Sequence, residues 1–273
     1  MKNKTLSIIL VLIILLSFSS CRDKNEQTDY NENIKTASDI PKAEKLFFDV
    51  FNFVYIISYD SSLLNYGLII KDAATVRYFE EPERKYFISY GNYYKKCPDN
   101  LQRKGYYNVF LSDNFLTPNS TARVEFIDYY VEQYKHNGSI NITNLGKNNS
   151  GGYSFEVKID AGLISNKRDS LQTLYTHWNS TNSIYSYADD STANLGIMGN
   201  TNGIASTGAS FTTVVVDTLI RTNNCKWFKS GSQSLSTPSL DVKTGSIIYT
   251  DTCSRRVNFY FDGLRFYTDL RYK

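Results

Sequence analysis

The sequence is short of the residues that most often build metal sites. It contains only two histidines, His136 and His177, and four cysteines. A structural zinc ion takes four ligands, so a zinc site in this chain would have very few residues to draw on. A three-cysteine metal site is the alternative, but the composition favours a protein without a metal or another cofactor.

An excess of charge of one sign is also missing. The chain carries 30 basic and 27 acidic residues, and removal of residues 1–20 takes away two lysines and leaves 28 against 27. Proteins that bind nucleic acids usually show a clear basic excess on one face. The charge balance therefore predicts no nucleic-acid partner.

Motifs of the common catalytic sites are absent from the sequence. It has no Gly-x-Ser-x-Gly nucleophile elbow, phosphate-binding loop, dinucleotide fingerprint or calcium loop. We therefore expect a protein without enzymatic activity. The alternative is an envelope hydrolase that uses a serine with His177, or two carboxylates that are distant in sequence.

The main apolar run, near the N-terminus, is too short for a comfortable membrane span, which takes roughly 20 residues. It extends from Leu6 to Phe18, follows Lys2 and Lys4, and ends before Ser19-Ser20. A positive segment, an apolar segment and small residues in this order are typical of a secretory signal peptide. We assign residues 1–20 to this leader.

Cys21, directly after the leader, indicates that the leader is that of a lipoprotein. Leu-Ser-Phe-Ser-Ser-Cys, residues 16–21, resembles a bacterial lipobox, in which the cysteine is lipidated and becomes the mature N-terminus. An ordinary secretory signal with a chance cysteine is the alternative. Lipidation with two acyl chains would anchor the protein firmly, at about 0.8 kcal/mol for each buried methylene group. By analogy with other lipoproteins, Arg22 gives no inner-membrane retention signal, so we expect an outer-membrane anchor and a protein on the cell surface or the periplasmic face.

The chain after the leader divides into a tether and one domain. Residues 21–40 are polar and charged, which predicts a disordered tether. In the domain, residues 41–273, apolar positions first recur at three- and four-residue spacing, which predicts an amphipathic helix that starts near Asp39 or Pro41. The recurring residues are Leu46, Phe47, Val50, Val54 and Ile57.

From Lys85 onward the hydrophobic period falls to two, in a chain with 22 tyrosines and 16 phenylalanines. Ten or eleven strands with short connections predict a mainly β fold. The expected architecture is an antiparallel meander, sandwich-like or a curled open sheet, with one N-terminal amphipathic helix. Asn137-Gly138 and Asp262-Gly263 are hairpin signals, because both central residues of a type I′ turn need positive φ. The first turn would leave His136 in solvent.

Three cysteines remain after Cys21, and an oxidising compartment allows them to pair. In a hairpin centred near Pro238, Cys225 and Cys253 would come within a residue or two of facing each other. We predict a disulfide between them, which adds roughly 3 kcal/mol by constraining the unfolded chain. Cys97 would remain as a buried thiol.

Several segments, in their order along the chain, resemble a large group of Bacteroidota lipoproteins. They are "AEKLFFDVF", "CPDNLQRKGYYNVFLSD", "ARVEFIDYYVEQYKHNGSINITNLG", "CKWFKSGS" and "DTCSRRVNFYFDG". They span most of residues 43–263, and the Cys-x-Trp and final cysteine segments are the most specific. Members often carry Gly-Asp-Gly before the last cysteine, where this chain has Tyr-Thr-Asp-Thr at 249–252. The group is rich in β-structure and has no established activity, so the resemblance implies an architecture and a location but no chemistry.

The leading functional hypothesis is a non-enzymatic envelope protein that presents one face of its sheet to a glycan or to another envelope protein. Tyrosine offers contact area and a polar tip at low entropic cost. The candidate contact residues are Tyr129, Tyr130, Trp178 and Trp227. The opposing interpretation places these aromatic residues in the core and in cross-strand pairs. A periplasmic small-molecule carrier, with the sheet curled around an apolar cavity, is a further hypothesis.

Overall fold

A computed structural model describes residues 29–169, 172–188, 194–222, 225–250 and 253–271. The leader, the lipidation site Cys21 and the tether as far as residue 28 lie outside the described residues. The described chain forms two helices, α1 (Asn31–Ser58) and α2 (Ser61–Tyr66). Fourteen strands follow: β1 (Leu68–Lys71), β2 (Ala74–Phe79), β3 (Lys85–Lys96), β4 (Gln102–Leu111), β5 (Thr121–Val131), β6 (Tyr134–Lys147), β7 (Tyr153–Asp169), β8 (Gln172–Ser186), β9 (Leu195–Ile204), β10 (Ser210–Arg221), β11 (Ser230–Ser236), β12 (Thr244–Tyr249), β13 (Arg256–Phe261) and β14 (Leu264–Asp269).

The fourteen strands form one open antiparallel sheet in which each strand pairs with the next along the chain. The predicted mainly β meander with an N-terminal helix is confirmed, and the open-sheet form replaces the sandwich. The strand count exceeds the predicted ten or eleven partly because β1 and β2 precede Lys85. Alternation of buried and more exposed side chains along β4 shows how a period of two places one face inside.

The sheet curls around α1, which occupies the centre of the domain. Nineteen of the 28 residues of α1 are buried, including an unbroken run from Ala43 to Phe48 that covers more than one turn. Aromatic contacts radiate from the helix: the ring of Phe53 lies 6.5 Å from Tyr90 on β3, and that of Phe51 lies 5.4 Å from Phe155 on β7. The helix is therefore enclosed, where the sequence predicts one apolar and one solvated face.

The helix begins earlier than the sequence predicts, and its first part replaces half of the predicted tether. It starts at Asn31, ten residues before Pro41, so residues 31–40 belong to the folded domain. Their polar side chains make specific long-range hydrogen bonds. Asn33 Nδ2 donates to the carbonyl oxygen of Val242 at 2.7 Å, and Asp39 Oδ2 accepts from the backbone N–H of Ser206 at 2.9 Å. The polar residues whose composition predicts disorder thus make ordered contacts with distant loops.

One of the two predicted hairpin turns is wrong. Chain reversal between β5 and β6 occurs at Glu132-Gln133, while Asn137-Gly138 forms a bulge inside β6. Gly138 has a φ of +92°, and a β-carbon there would lie 2.5 Å from the carbonyl oxygen of Ala161 on β7. The glycine is required by a bulge and a close strand approach, since only glycine fits both. The Asp262-Gly263 turn, between β13 and β14, is confirmed.

The shifted turn places His136 in the core. The side chain is 1% exposed, and its ring lies 4.9 Å from the ring of Tyr129 and 6.0 Å from that of Phe47. Burial disfavours the charged imidazolium and lowers the pKa of His136 to about 3. The expectation of a solvated His136 is therefore wrong, and the residue is neutral near pH 7.

The three remaining cysteines follow the expected division. Cys225 and Cys253 form a disulfide, with their α-carbons 5.0 Å apart. Cys225 lies in the loop that precedes β11 and does not open a strand. Cys97 is a free, buried thiol in the connection between β3 and β4.

Candidate functional site

A cleft of about 320 Å³ lies beside the second half of α1, and we call it the Asp49 cleft. The helix lines it at the spacing of one face, and the facing wall comes from β3, β4 and β5. The disulfide and its neighbours form part of the rim. The lining residues are Asp49, Asn52, Phe53 and Ile56 of the helix, Tyr90, Arg103, Tyr107 and Tyr129 of the strands, and Asp72, Cys97, Pro98, Asp99, Arg221, Cys225 and Lys226.

A group of buried charged side chains adjoins the cleft, and three of its four members, Asp49, Arg103 and Arg221, line it. Asp49 pairs with Lys45 one turn earlier on α1, with Arg221 Nη2 at 2.7 Å from its Oδ1, and with Arg103 Nη2 at 3.6 Å from its Oδ2. Each of these four side chains is at most 10% exposed. Buried charges are stable only when they are paired, so this group depends on its mutual contacts. We call these four residues the buried ion cluster.

Arg103 has a second carboxylate of its own. Its Nη1 and Nη2 donate to the two carboxylate oxygens of Asp99 at 2.8 and 2.6 Å. This two-bonded geometry is the strongest form of an arginine–carboxylate contact. Asp99 therefore balances Arg103, and Asp49 is left to balance both Lys45 and Arg221.

The electrostatics keep Asp49 ionised. Burial opposes ionisation of this carboxyl, but the positive charges of Lys45, Arg221 and Arg103 outweigh it and lower the pKa of Asp49 to about 2. Burial also lowers the pKa of Lys45, and the neighbouring Asp49 acts in the opposite direction. The cluster thus holds a fixed negative charge among three cations.

Arg221 is incompletely paired. Its Nη1 is buried and has no hydrogen-bond partner within the described part of the chain. Its Nη2 lies 2.7 Å from Asp49 Oδ1, but this ion pair does not have the angles of a hydrogen bond. A buried guanidinium donor without an acceptor is costly, so Nη1 of Arg221 detracts from the stability of this group of charges.

Three tyrosines build the aromatic wall of the cleft. The ring of Tyr129 lies 5.0 Å from Tyr107 and 5.9 Å from Tyr90, and all three residues are at most 3% exposed. Burial is the main cause that raises the pKa of each of these hydroxyls above its usual value of 10.0. The phenols stay neutral near pH 7, with hydroxyl groups that can donate or accept hydrogen bonds.

The cleft has few features of a catalytic centre. Cys97 lies on its wall, but burial raises the pKa of this thiol and keeps it protonated. His177 does not line it and sits on the exposed face of β8. No group of three or more His, Cys, Asp or Glu residues suited to a metal ion occurs within the ranges that the structure describes.

The four predicted contact residues are distributed differently from the expectation. Trp178 and Trp227 are buried, at 1% and 4% exposure, so neither can form an outer-face contact. Tyr129 faces inward onto the cleft. Tyr130 is the one of the four on the outer face of the sheet, where Lys104 Nζ lies 4.5 Å from the centre of its ring. Core packing accounts for the tryptophans, as the opposing interpretation holds.

The sequence patterns miss the residues of the buried ion cluster. Asp49 interrupts an aromatic run of the helix, and Arg103 and Arg221 occupy inward positions of alternating strands. A charge on the apolar face of a helix or strand is the signal that could have found them, because such a residue must be paired when the face is buried.

No helix of the described chain combines the length and the apolar character required to cross a membrane. No protein-family model matches the sequence, and no curated protein or solved structure shows significant similarity to it.

Proposed function

We propose that this protein is a lipid-anchored, non-enzymatic protein of the cell envelope that binds a small ligand in the Asp49 cleft. The observation that carries the proposal is the cleft itself, a concave wall on which charged and aromatic side chains converge beside α1. Convergent polar groups in a well-formed pocket are the usual sign of a ligand site.

The charge state of the cleft favours binding over hydrolysis. A glycoside hydrolase requires one carboxyl with a raised pKa as its general acid. Asp49 and Asp99 both line the cleft, and in both the neighbouring cations outweigh the effect of burial and lower the pKa. These carboxylates are committed to ion pairs, so neither is suited to donate a proton.

The filled interior distinguishes this site from that of a carrier with a hollow sheet. The enclosed α1 occupies the space that a large apolar cargo would take. Glycan binding on the outer face would rely on Tyr130 and Tyr94, whose ring centres lie 4.5 Å and 4.7 Å from Lys104 Nζ. Replacement of both tyrosines by alanine tests that second function: lost retention on a glycan array, with unchanged folding, would favour it over the cleft.

The anchor is supported by the lipobox-like sequence at Cys21 and by the resemblance to Bacteroidota lipoproteins. Cys21→Ala should move the protein from the membrane fraction to the soluble fraction, and metabolic labelling with palmitate should be lost. A variant that stays in the membrane fraction would contradict lipid anchoring. Protease treatment of intact cells, with lysed cells as control, then distinguishes the cell surface from the periplasm.

Ligand binding is tested with a panel of neutral sugars, amino acids, organic acids and cations, using the melting temperature of the full-length protein in detergent. A ligand at 100 times its dissociation constant stabilises the folded state by about 2.7 kcal/mol. Ile56→Trp serves as the blocked variant, because partly exposed Ile56 lines the cleft. We expect one class to stabilise the wild type and not the blocked variant. If no class does so at millimolar concentration, the proposal is refuted.

A further inference from the structure

We propose that a second site, on the outer face of β13 and β14, binds a phosphate monoester group, a tetrahedral oxyanion with two negative charges. The site is a surface pocket of about 620 Å³, which we call the Arg256 pocket. Its lining includes Arg255, Arg256, Asn258 and Arg265, and it shares no residue with the Asp49 cleft. The inference therefore goes beyond the proposed function and does not depend on it.

Strand alternation and register place the pocket on the outer face of the sheet. Val257 and Phe259 of β13 are buried in the core, so Arg256 and Asn258, at the alternate positions, point outward. The register of β13 with β14 places Arg265 on the same face. Three of the lining side chains thus share one side of a single hairpin.

The described residues of the pocket carry a surplus of two positive charges. Three arginines, Arg255, Arg256 and Arg265, line it together with a single carboxylate, that of Asp269. Asp269 Oδ1 lies 3.4 Å from Arg256 Nε, while Arg255 and Arg265 have no carboxylate within ion-pair distance in the described chain. Arginine keeps its proton at every pH at which the protein is folded, so this surplus is fixed. A phosphate monoester, with close to two negative charges above about pH 7, would balance it.

Asn258 supplies a donor that the fold itself does not use. The side chain is only 7% exposed, and its cross-strand neighbours are Ile248 and Tyr267, among which an apolar residue would need no hydrogen-bond partner. Its Oδ1 is enclosed without a partner, and its Nδ2, which is not enclosed, has no acceptor among the described residues. A nearly buried amide that the fold leaves unpaired indicates an acceptor that comes from outside.

The arrangement of donors favours a tetrahedral acceptor over a planar one. Arg256 and Arg265 approach from two strands, Arg255 from the connection before β13, and Asn258 from the floor of the pocket. Ser254 Oγ, also in the lining, accepts from the backbone N–H of Arg256 at 2.9 Å, which leaves its own proton free for a ligand. A carboxylate offers two oxygens in one plane, whereas the three terminal oxygens of a phosphate can accept from several sides.

The phosphate group can belong to a sugar or to a lipid headgroup. The pocket opens to solvent, so the rest of a larger molecule can remain outside it. A lipid is within reach of an anchored protein, because Tyr30, nine residues after Cys21, donates from its hydroxyl to Asp262 Oδ2 at 3.2 Å in the β13–β14 turn. Nine extended residues span at most about 30 Å.

The experiment compares four compounds built on one sugar: glucose 6-phosphate, glucose 6-sulfate, glucuronate and glucose. Binding to the full-length protein in non-ionic detergent is measured by isothermal titration calorimetry in low-salt buffer at about pH 7.5, where the phosphate monoester is doubly charged. The variants are Arg265→Gln and Asn258→Leu in the pocket, and Arg77→Gln as the matched control. Arg77 is an exposed arginine on β2, near the other end of the strand order.

We expect glucose 6-phosphate to bind most tightly, the two singly charged compounds to bind more weakly, and glucose not to bind. Arg265→Gln should weaken binding of glucose 6-phosphate by about 3- to 10-fold, between the effect of an exposed ion pair and that of a charge-assisted hydrogen bond. Asn258→Leu removes the amide at similar volume and should weaken binding by a similar factor. Arg77→Gln should leave the affinity unchanged.

Four results would overturn the inference. Equal affinities for glucose 6-phosphate and for either singly charged compound would remove the argument for a dianion. Equal weakening by Arg77→Gln and Arg265→Gln would show that net charge alone explains binding. Unchanged affinity in Arg265→Gln, at an exposed position that does not endanger folding, would exclude the pocket even if Asn258→Leu does not fold. Loss of binding in Ile56→Trp would place the phosphate in the Asp49 cleft and leave the proposed function standing.

The lipid source is tested by cosedimentation of full-length Cys21→Ala, which lacks the acylated cysteine, with phosphatidylcholine vesicles that contain or lack phosphatidic acid. Retention that requires phosphatidic acid and is reduced by Arg265→Gln would support a lipid headgroup as the ligand. Absence of retention, with glucose 6-phosphate bound, would support a phosphorylated sugar. Failure of both probes would refute the inference and would not affect the Asp49 cleft.

Discussion

Glu44 is the buried residue whose replacement should change the stability of this fold most informatively. It lies on α1 at 2% exposure and does not line the Asp49 cleft. Its Oε2 accepts hydrogen bonds from Gln233 Nε2 at 2.8 Å and from the hydroxyl of Tyr249 at 2.9 Å. Burial raises the pKa of Glu44 from 4.5 to about 7, and the two hydrogen bonds only partly oppose that rise. The folded protein therefore binds a proton here more tightly than the unfolded chain does.

The sign and size of the effect follow from this difference. A carboxyl whose pKa is raised on folding contributes its full stability below the unfolded value, here 4.5, and that stability is lost as the pH rises through the folded value, about 7. At 1.36 kcal/mol per pH unit, the loss amounts to about 3 kcal/mol. Glu44→Gln removes the charge and keeps an oxygen that can accept from Gln233 and Tyr249. The variant should therefore gain about 3 kcal/mol relative to the wild type between pH 4.5 and pH 8.

The measurement is urea unfolding of both proteins at intervals from pH 4 to pH 8.5. Only the difference in unfolding free energy between the two proteins is interpreted, because contributions of other titrating groups, such as His136, cancel in it. Glu83→Gln, at an exposed position, controls for the amide replacement itself. A difference between Glu44→Gln and the wild type that stays constant across this range would refute the reasoning.

Three further replacements test the core. His136→Phe should be least destabilising, relative to the wild type, at low pH. The stability contributed by a neutral His136 is present above pH 6.5 and is lost as the pH falls towards about 3. The unfolding curves of the two proteins should therefore converge or cross in acid. Asp49→Asn should destabilise the fold by about 3–5 kcal/mol in chemical denaturation, because it leaves buried cations without their carboxylate; a loss below about 1 kcal/mol would contradict the ion cluster. Gly138→Ala should lower the melting temperature much more than Gly151→Ala, since both have positive φ but only Gly138 faces a backbone oxygen; equal shifts would show that the strand approach is unimportant.

Local sequence signals predicted the parts of the fold that local physics determines. The period of two from Lys85 onward identifies strands because successive side chains point to opposite faces. Asp262-Gly263 identifies a turn because its neighbours on both sides alternate without interruption. Asn137-Gly138 carries the same signal and has a different role, because the positive φ of Gly138 serves a bulge that tertiary packing against Ala161 selects. A dipeptide preference does not distinguish these two uses.

Non-local contacts account for what the sequence could not predict. The first ten residues of α1 have the composition of a tether, and they are ordered by hydrogen bonds to loops about 165–210 residues away. The buried ion cluster joins α1, β4 and β10, three elements that are far apart in the sequence. Each charged residue of the cluster is only a weak signal in the sequence, because a buried charge cannot be told from a surface charge until its partners are known.

The enclosed position of α1 has a consequence for the order of folding. The helix is synthesised before any strand. The groups that cover it include Gln233 and Tyr249, which lie 189 and 205 residues after Glu44 in the chain. Contacts of such long sequence separation form late, because the intervening chain must be closed into a loop before they are made. A chain that appears N-terminus first must therefore keep an apolar helix uncovered until nearly all of it has been synthesised. A deletion of β13 and β14 should for this reason produce an aggregation-prone protein that engages chaperones, and not a smaller folded domain.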